Sequence, residues 1–530
     1  MVSAEREKHM KAKILAAALT LALPFAPAAQ AQDVTTVKVE AGQPGATIDR
    51  DIFGQFAEHL GTGIYGGIWV GKDSPIPNVR GIRSDVVAAL KAIRVPNVRW
   101  PGGCFADEYH WRDGIGDPAK RHVTVNTNWG GAVETNAFGT HEFLDFADQI
   151  GADAYVSVNV GSGTVKEAAD WVAYMTADEH STAGQERAAN GRKDPWKIKF
   201  LGLGNETWGC GGNMSPEYYT DLMKRFARFT HNYNPAQQGG ADRMERIAVG
   251  PSDGDTAYTE GVMKAAKTGD WDGLSLHSYT VVKWPPAYDS VNFGTKEYAE
   301  LVKATLRMDE QIRTHSAIMD KYDPEKKIGL IVDEWGVWLA KLPGSPDGFL
   351  QQQNSMRDAV IAALNFNIFA RHADRVRGAN IAQMINVLQA MILTKDEKMV
   401  LTPTYYVHKL YLPFQGATYI PVTFDAGEYR QGDIALPRVD AVAARATDGK
   451  LWLALVNLDP TRPAKIRAEL PGVRVRGAAG QVLAAAKVNA INTFEAPNAV
   501  VPKPISGRAK DGAVTVELPP ASVAMVALES

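Results

Sequence analysis

The sequence predicts an α/β protein, a (β/α)8 TIM barrel followed by an all-β sandwich domain, on three observations. Eight short β-branched runs alternate with longer helical stretches between Phe53 and Gln389. After about Leu412 the pattern changes to short alternating strands broken by turns. At 530 residues the chain exceeds one ordinary domain and has material for a large unit plus a smaller one.

The eight runs lie around Phe53–Phe56, Val98–Trp100, Tyr155–Val160, Ile198–Leu203, Ile247–Val249, Leu274–Leu276, Ile328–Val332 and Met384–Leu388. Between them, Ser215-Pro216 supplies an N-cap and first-turn proline ahead of Tyr219, Leu222, Phe226 and Phe229 on one helical face. Another helix runs from Ser84 through Val86, Val87, Leu90 and Ile93, and the polar stretch Asp178 to Asp194 reads as a solvated loop. Eight such units indicate a closed barrel, in which chemistry sits at the C-terminal ends of the strands. Beyond it, Val439 to Ala446, Asp448-Gly449 and Leu451 to Leu458 read as a hairpin. Val514 to Leu518 and Val523 to Leu528 read as the last sandwich strands, with Thr36 to Val39 as an added edge strand and Glu495 to Pro504 as a long surface loop.

The expected organisation is a signal peptide over residues 1–31, a segment 32–50 that adds a strand to the sandwich, a barrel over 51–411 and a sandwich over 412–530. The leader rests on the apolar run Ile14 to Leu23, preceded by Lys11 and Lys13 and followed by Ala29-Gln30-Ala31. It predicts a secreted or periplasmic protein. Glu5 and Glu7 are unusual in front of such a run, which makes Met10 an alternative translation start. The run is short for a membrane span and no other stretch approaches one, so no membrane partner is expected.

A net charge of -3 and a pI near 6.4 supply neither a basic stripe for nucleic acid nor a polybasic membrane patch. The expected partner is a neutral small molecule or polymer, and 12 Trp and 17 Tyr fit a protein that stacks sugar rings. Two cysteines, Cys104 and Cys210, rule out a disulfide framework. One bridge stays open, two thiols packed near the barrel mouth being the preferred reading. No cofactor or metal is expected, because Ser252-Asp253-Gly254-Asp255 lacks the spacing and terminal Glu of a calcium loop. The sequons at Asn205 and Asn213 read as chance matches.

Two carboxylates stand at the ends of predicted strands: Glu206 after Phe200-Leu201-Gly202-Leu203-Gly204-Asn205, and Glu334 after Ile331-Val332-Asp333. Each is followed by tryptophan and glycine, in Glu206-Thr207-Trp208-Gly209 and Glu334-Trp335-Gly336. Cleavage of a glycosidic bond needs one carboxylic acid to protonate the leaving oxygen and one carboxylate on the opposite side of the sugar, and the pair supplies both.

The segment from Gly204 to Met214, Gly-Asn-Glu-Thr-Trp-Gly-Cys-Gly-Gly-Asn-Met, closely resembles the acid/base segment of glycoside hydrolase family 51, the α-L-arabinofuranosidases. The resemblance covers nearly the whole chain beyond the leader. It implies an exo-acting retaining enzyme that removes arabinofuranosyl groups from arabinan, arabinoxylan and related oligosaccharides, with Glu206 as acid/base, Glu334 as nucleophile and Asn205 beside the sugar. Phe56 to Gly61 resembles the strand-one segment, which implies that Glu58 hydrogen-bonds arabinose. Arg99 to Cys104 resembles the strand-two segment, implying Arg99 near the carboxylates and Cys104 against the sugar. By the same resemblance Trp129 and Trp338 are subsite tryptophans, His277 and Tyr279 belong to the strand-six motif, and Gln389 contacts the sugar from strand eight. A homo-oligomer is also implied. Retention requires carboxyl groups roughly 5 to 5.5 Å apart, with Glu206 raised in pKa and Glu334 low.

Plainer roles stand beside these. Arg99 would neutralise buried carboxylates, His277 would be a hydrogen-bonded core residue and Cys104 a small packing group. The rival functions are a barrel endoglucanase or xylosidase, a secreted carbohydrate-binding protein on a dead barrel, and a thiol hydrolase using Cys104. Retention of both Glu206 and Glu334 weighs against the second.

Overall fold

The computed structural model describes residues 34–529 apart from Val473. The expected leader lies outside these residues. Eight parallel strands close a barrel: Gly54–Phe56, Asn97–Trp100, Asp153–Val158, Phe200–Leu203, Glu245–Ala248, Gly273–Thr280, Gly329–Val337 and Val376–Ile381. They are called strands one to eight below.

Seven of the expected runs overlap these strands, and the eighth is displaced. Met384–Leu388 was read as strand eight, but the strand is Val376–Ile381, Val-Arg-Gly-Ala-Asn-Ile, whose polar residues hide it. Asn380 is 1% exposed, and its amide donates to Gln55 O at 2.8 Å and Asn97 Oδ1 at 2.7 Å. The barrel interior at this end is polar, so hydrophobic periodicity does not report it. The apolar run that follows instead folds as an irregular loop, with Asn386 and Leu388 in the left-handed region at φ 60° and 50°. The stretch read as a solvated loop after Asp178 contains a helix, Thr182–Ala189, capped by the Ser181 hydroxyl.

The sandwich has two layers joined through Lys503–Lys510, which pairs with Gly477–Leu483 on one side and Ala513–Leu518 on the other. Its first strand in sequence, Val34–Val39, runs parallel to Ala464–Glu469 and antiparallel to Val422–Thr423. Strand Val439–Arg445 shows why the two domains adhere. Val439, Ala441 and Ala443 enter the sandwich core with Val37, Ile466 and Val516. Val442 and Ala444 belong instead to the barrel core, with Phe366 and Phe369 of helix Met356–Arg371. Both faces of the strand are therefore buried. The loop before Lys503 is tied down as well: Met356 N donates to Ala490 O at 2.9 Å, and Asn492 is buried. Among the described residues no helix is long and apolar enough to cross a membrane.

Candidate active site

Glu206 follows strand four across Gly204 and Asn205 and itself takes φ 37°. A residue with a side chain adopts that left-handed backbone at a cost of about 1–3 kcal/mol, and the surroundings must hold it there. Two devices do so. The buried Asp107 carboxylate accepts from Asn205 N at 2.9 Å with one oxygen and from Val160 N and Gly161 N at 2.9 and 2.8 Å with the other. Burial, opposed by these three donors, pushes its pKa up to about 7. A disulfide joins Cys104 to Cys210 across the same turn. The preferred reading of two free thiols is thereby corrected: the cysteines lie 106 residues apart in sequence, and only the closure of the barrel makes them neighbours.

Glu334 lies inside strand seven. Simple alternation would send Asp333 to the opposite face, but the register with strand eight shifts between Val332 and Trp335, and both acids reach Arg99. Arg99 Nη1 donates to Glu334 Oε1 at 2.8 Å, and its Nε lies 3.5 Å from Asp333 Oδ2. Tyr279 Oη donates to Glu334 Oε2 at 2.7 Å, so each oxygen of Glu334 has a donor. Tyr155 Oη donates to Asp333 Oδ2 at 2.7 Å. Burial alone would raise Asp333, but Arg99, His277 and Tyr155 hold it below the ordinary aspartate value.

His277 connects the two glutamates. Its Nδ1 is 2.8 Å from Glu206 Oε1 and 3.5 Å from Glu334 Oε1, and its Nε2 is 3.3 Å from Asp333 Oδ1. Burial would lower its pKa, but Glu334, Asp333 and Glu206 outweigh burial and carry it up to about 10. Its side-chain hydrogen bond is from Nδ1 to Glu206 Oε1, and the contact to Asp333 is ionic. The pKa of Glu206 is raised, first by burial and then by Glu334, against the His277 hydrogen bond that lowers it. Oxygen and nitrogen atoms of Glu206, His277 and Glu334 lie within 4.8 Å of one another.

Glu58, 1% exposed, faces the pair from strand one. Its Oε1 accepts from Gly103 N and Phe105 N at 3.1 Å and from Trp129 Nε1 at 2.9 Å, and its Oε2 accepts from Gln383 Nε2 at 3.0 Å. Burial and then the charge of Glu334 push the carboxyl up to about 7 against these donors. The backbone comes this close only as glycine, since a Cβ on Gly102 would sit 2.7 Å from Glu58 Cγ.

Glu58, Cys104, Trp129, Glu206, Tyr279, Glu334 and Trp338 line one cavity, with Gln383, Leu350 and Leu388. A wider groove elsewhere is lined by Asp117, Glu142 and Asp145, each paired with a cation, Lys120, Arg121 and Arg80 respectively. Arg99, Asn205 and His277 lie beneath the cavity: Arg99 Nη2 donates to Asn205 Oδ1 at 2.6 Å, and all three are at most 4% exposed. Gln389 lies apart from the residues that line the cavity. It is fully buried in the barrel wall, accepting from Val337 N at 2.8 Å and donating to Asp358 O at 2.8 Å, and Gln383 reaches the cavity in its place. The sequence reading missed Gln383, Asp333, Tyr155 and Asp107. Only Asp333 carried a signal, as a second acid directly before Glu334.

Residues 89–303 match the family described as Alpha-L-arabinofuranosidase 1 domain, and residues 333–522 the Alpha-L-arabinofuranosidase C-terminal domain. A Bacteroides ovatus protein named intracellular exo-alpha-L-arabinofuranosidase is 46% identical over 98% of this chain and 100% of its own. A crystal structure of a family 51 arabinofuranosidase from Xanthomonas axonopodis pv. citri is 52% identical with a TM-score of 0.91, over 94% of this chain and 100% of that one. The Thermotoga maritima alpha-L-arabinofuranosidase, solved as an arabinose complex, is 30% identical with a TM-score of 0.79, over 94% and 100%. One expectation is overturned: secretion or periplasmic export was read from an apolar leader, whereas the Bacteroides ovatus relative, alignable along its full length, is named intracellular. An alanine-rich apolar run after two lysines satisfies the pattern of a leader without being sufficient for export. From its matched domains, its relatives and its fold, the chain belongs to glycoside hydrolase family 51 and is an α-L-arabinofuranosidase.

Proposed function

We propose that the enzyme releases terminal non-reducing arabinofuranosyl groups from arabinan, arabinoxylan and related oligosaccharides by double displacement with retention, Glu334 acting as nucleophile and Glu206 as acid/base. The observation that carries this reading is the convergence of Glu206, His277 and Glu334 within 4.8 Å. Retaining enzymes hold their carboxyl groups roughly 5–5.5 Å apart, whereas inverting ones leave roughly 6.5–9.5 Å for a water.

The charges fit the same roles. Arg99 and the His277 imidazolium are two buried cations. Asp333 and Glu334 face both of them. Glu206 Oε1 accepts from His277 Nδ1, so the acidic proton belongs on Oε2. Glu334, held at both oxygens by Arg99 and Tyr279, attacks the anomeric carbon while Glu206 protonates the departing oxygen. Glu206, then ionised, deprotonates the water that hydrolyses the arabinosyl ester and regains its proton. Glu58 and Gln383 supply polar contacts for sugar hydroxyls. Trp129, Trp338 and Leu350 line the same cavity. A small cavity favours one terminal sugar over a chain passing through, which weighs against an endoglucanase.

The test is Glu334→Ala on an aryl α-L-arabinofuranoside. Turnover should be abolished, and azide should restore it with formation of the inverted glycosyl azide. Undiminished activity in that variant removes Glu334 from the role.

A further inference from the structure

We infer that Trp284 is a stacking platform for the sugar ring on the leaving-group side of the scissile bond, an inference that rests on the activity proposed above. Of the 12 tryptophans it is the most open to solvent, 54% exposed, while the others are buried or half-buried. It stands on the loop after strand six, whose residues Val282 to Pro285 are all exposed.

The exposed indole is connected to the chemistry through two ring contacts. Tyr279, which donates to the nucleophile Glu334, meets Trp338 edge-to-face at a centroid distance of 4.9 Å, and Trp338 meets Trp284 in the same manner at 5.1 Å. Tyr279 and Trp338 line the cavity for the terminal sugar, and Trp284 lies one ring further out on the same rim. An indole left this open to water exposes apolar area that a flat sugar face would cover. The loop is also stiff. Pro285 and Pro286 fix the backbone directly after Trp284, and Tyr288 O accepts from Ala340 N at 3.0 Å. A platform ordered before binding loses little entropy when the ligand arrives. Had Trp284 served only to cover Trp338, its own faces would have been the buried part.

The ligand class is a neutral saccharide ring carrying the arabinofuranosyl group, either a pyranose of a xylan-type backbone or a furanose of an arabinan. The test compares kcat/KM of wild type, Trp284→Ala and Trp284→Tyr on three substrates: methyl α-L-arabinofuranoside, an arabinofuranosyl-substituted xylo-oligosaccharide and a linear arabino-oligosaccharide. For Trp284→Ala the ratio of oligosaccharide to methyl glycoside should fall by about 5- to 30-fold, mainly through KM, as expected for loss of one stacked ring. Trp284→Tyr should restore most of it. A fall in the xylo- arm identifies a pyranose partner, and a fall in the arabino- arm a furanose one. An unchanged ratio in both arms overturns the inference, as does an equal loss on all three substrates, which marks a packing role. Failure of the wild type to hydrolyse methyl α-L-arabinofuranoside would strike the proposed activity instead.

Discussion

His277 Nδ1 sits 2.8 Å from Glu206 Oε1, so the acid that must surrender a proton is hydrogen-bonded to an imidazole whose pKa its carboxylate neighbours raise. The contact restrains a carboxyl whose pKa burial and Glu334 have already raised. Replacing His277 with Gln removes the positive charge and lets the Glu206 pKa climb further. The alkaline limb of kcat/KM should move to higher pH, with kcat reduced by about 10- to 100-fold through loss of alignment. A pH–rate profile whose alkaline limb stays in place would contradict this role for His277.

Stability should carry a pH signature from carboxyls that are easier to protonate folded than unfolded. Glu58 and Asp107 are each pushed up to about 7. Because the folded state binds these protons more tightly, their stabilisation is complete below the unfolded values near 4.5 and 3.8 and is lost as pH rises through about 7. Urea unfolding should give a lower midpoint at pH 8 than at pH 5, with each group contributing at most about 3 kcal/mol. Asp107→Asn should flatten the slope, and an unaltered slope would take Asp107 out of the account.

The bridge between Cys104 and Cys210 makes a countable prediction. Denatured, unreduced protein should show no titratable thiol, and reduced protein two. Opening a closed loop of this length costs up to about 4–5 kcal/mol, so Cys104→Ser with Cys210→Ser should lower the unfolding midpoint. Iodoacetamide should leave turnover intact, which separates this enzyme from a thiol hydrolase.

Gln383 and Gln389 should part company under substitution. Gln383→Ala removes a donor from Glu58 at the cavity wall and should raise KM for an aryl arabinofuranoside several-fold. Gln389→Ala strips a buried side chain from Val337 N and Asp358 O and should lower Tm by several degrees before it alters KM. Equal effects of the two variants on KM would return Gln389 to the sugar.

What the sequence could disclose followed from local pattern. Glu206 and Glu334 stood after readable apolar strands, so counting strands brought both to one rim. Strand eight escaped because Asn380 and its partners satisfy one another inside the barrel, where the pattern looks for apolar residues. Asp333 escaped because alternation assigns it to the outer face, and only the register shift between Val332 and Trp335 turns it inward. Gln383 and the cysteine pair depend on contacts across 325 and 106 residues, which no local window contains.

The pairing of Val34–Val39 with Ala464–Glu469 has a consequence for how the chain is made. On the ribosome the strand Val34–Val39 waits, unpaired, while the whole barrel is translated, because its parallel partner belongs to the last domain. Pulse-labelled chains stopped before Ala464 should therefore stay protease-sensitive around Val34 even where the barrel already resists digestion. A barrel expressed alone would leave the outer faces of Phe366 and Phe369 with no sheet to receive them, and the two domains should be lost together on heating rather than one after the other.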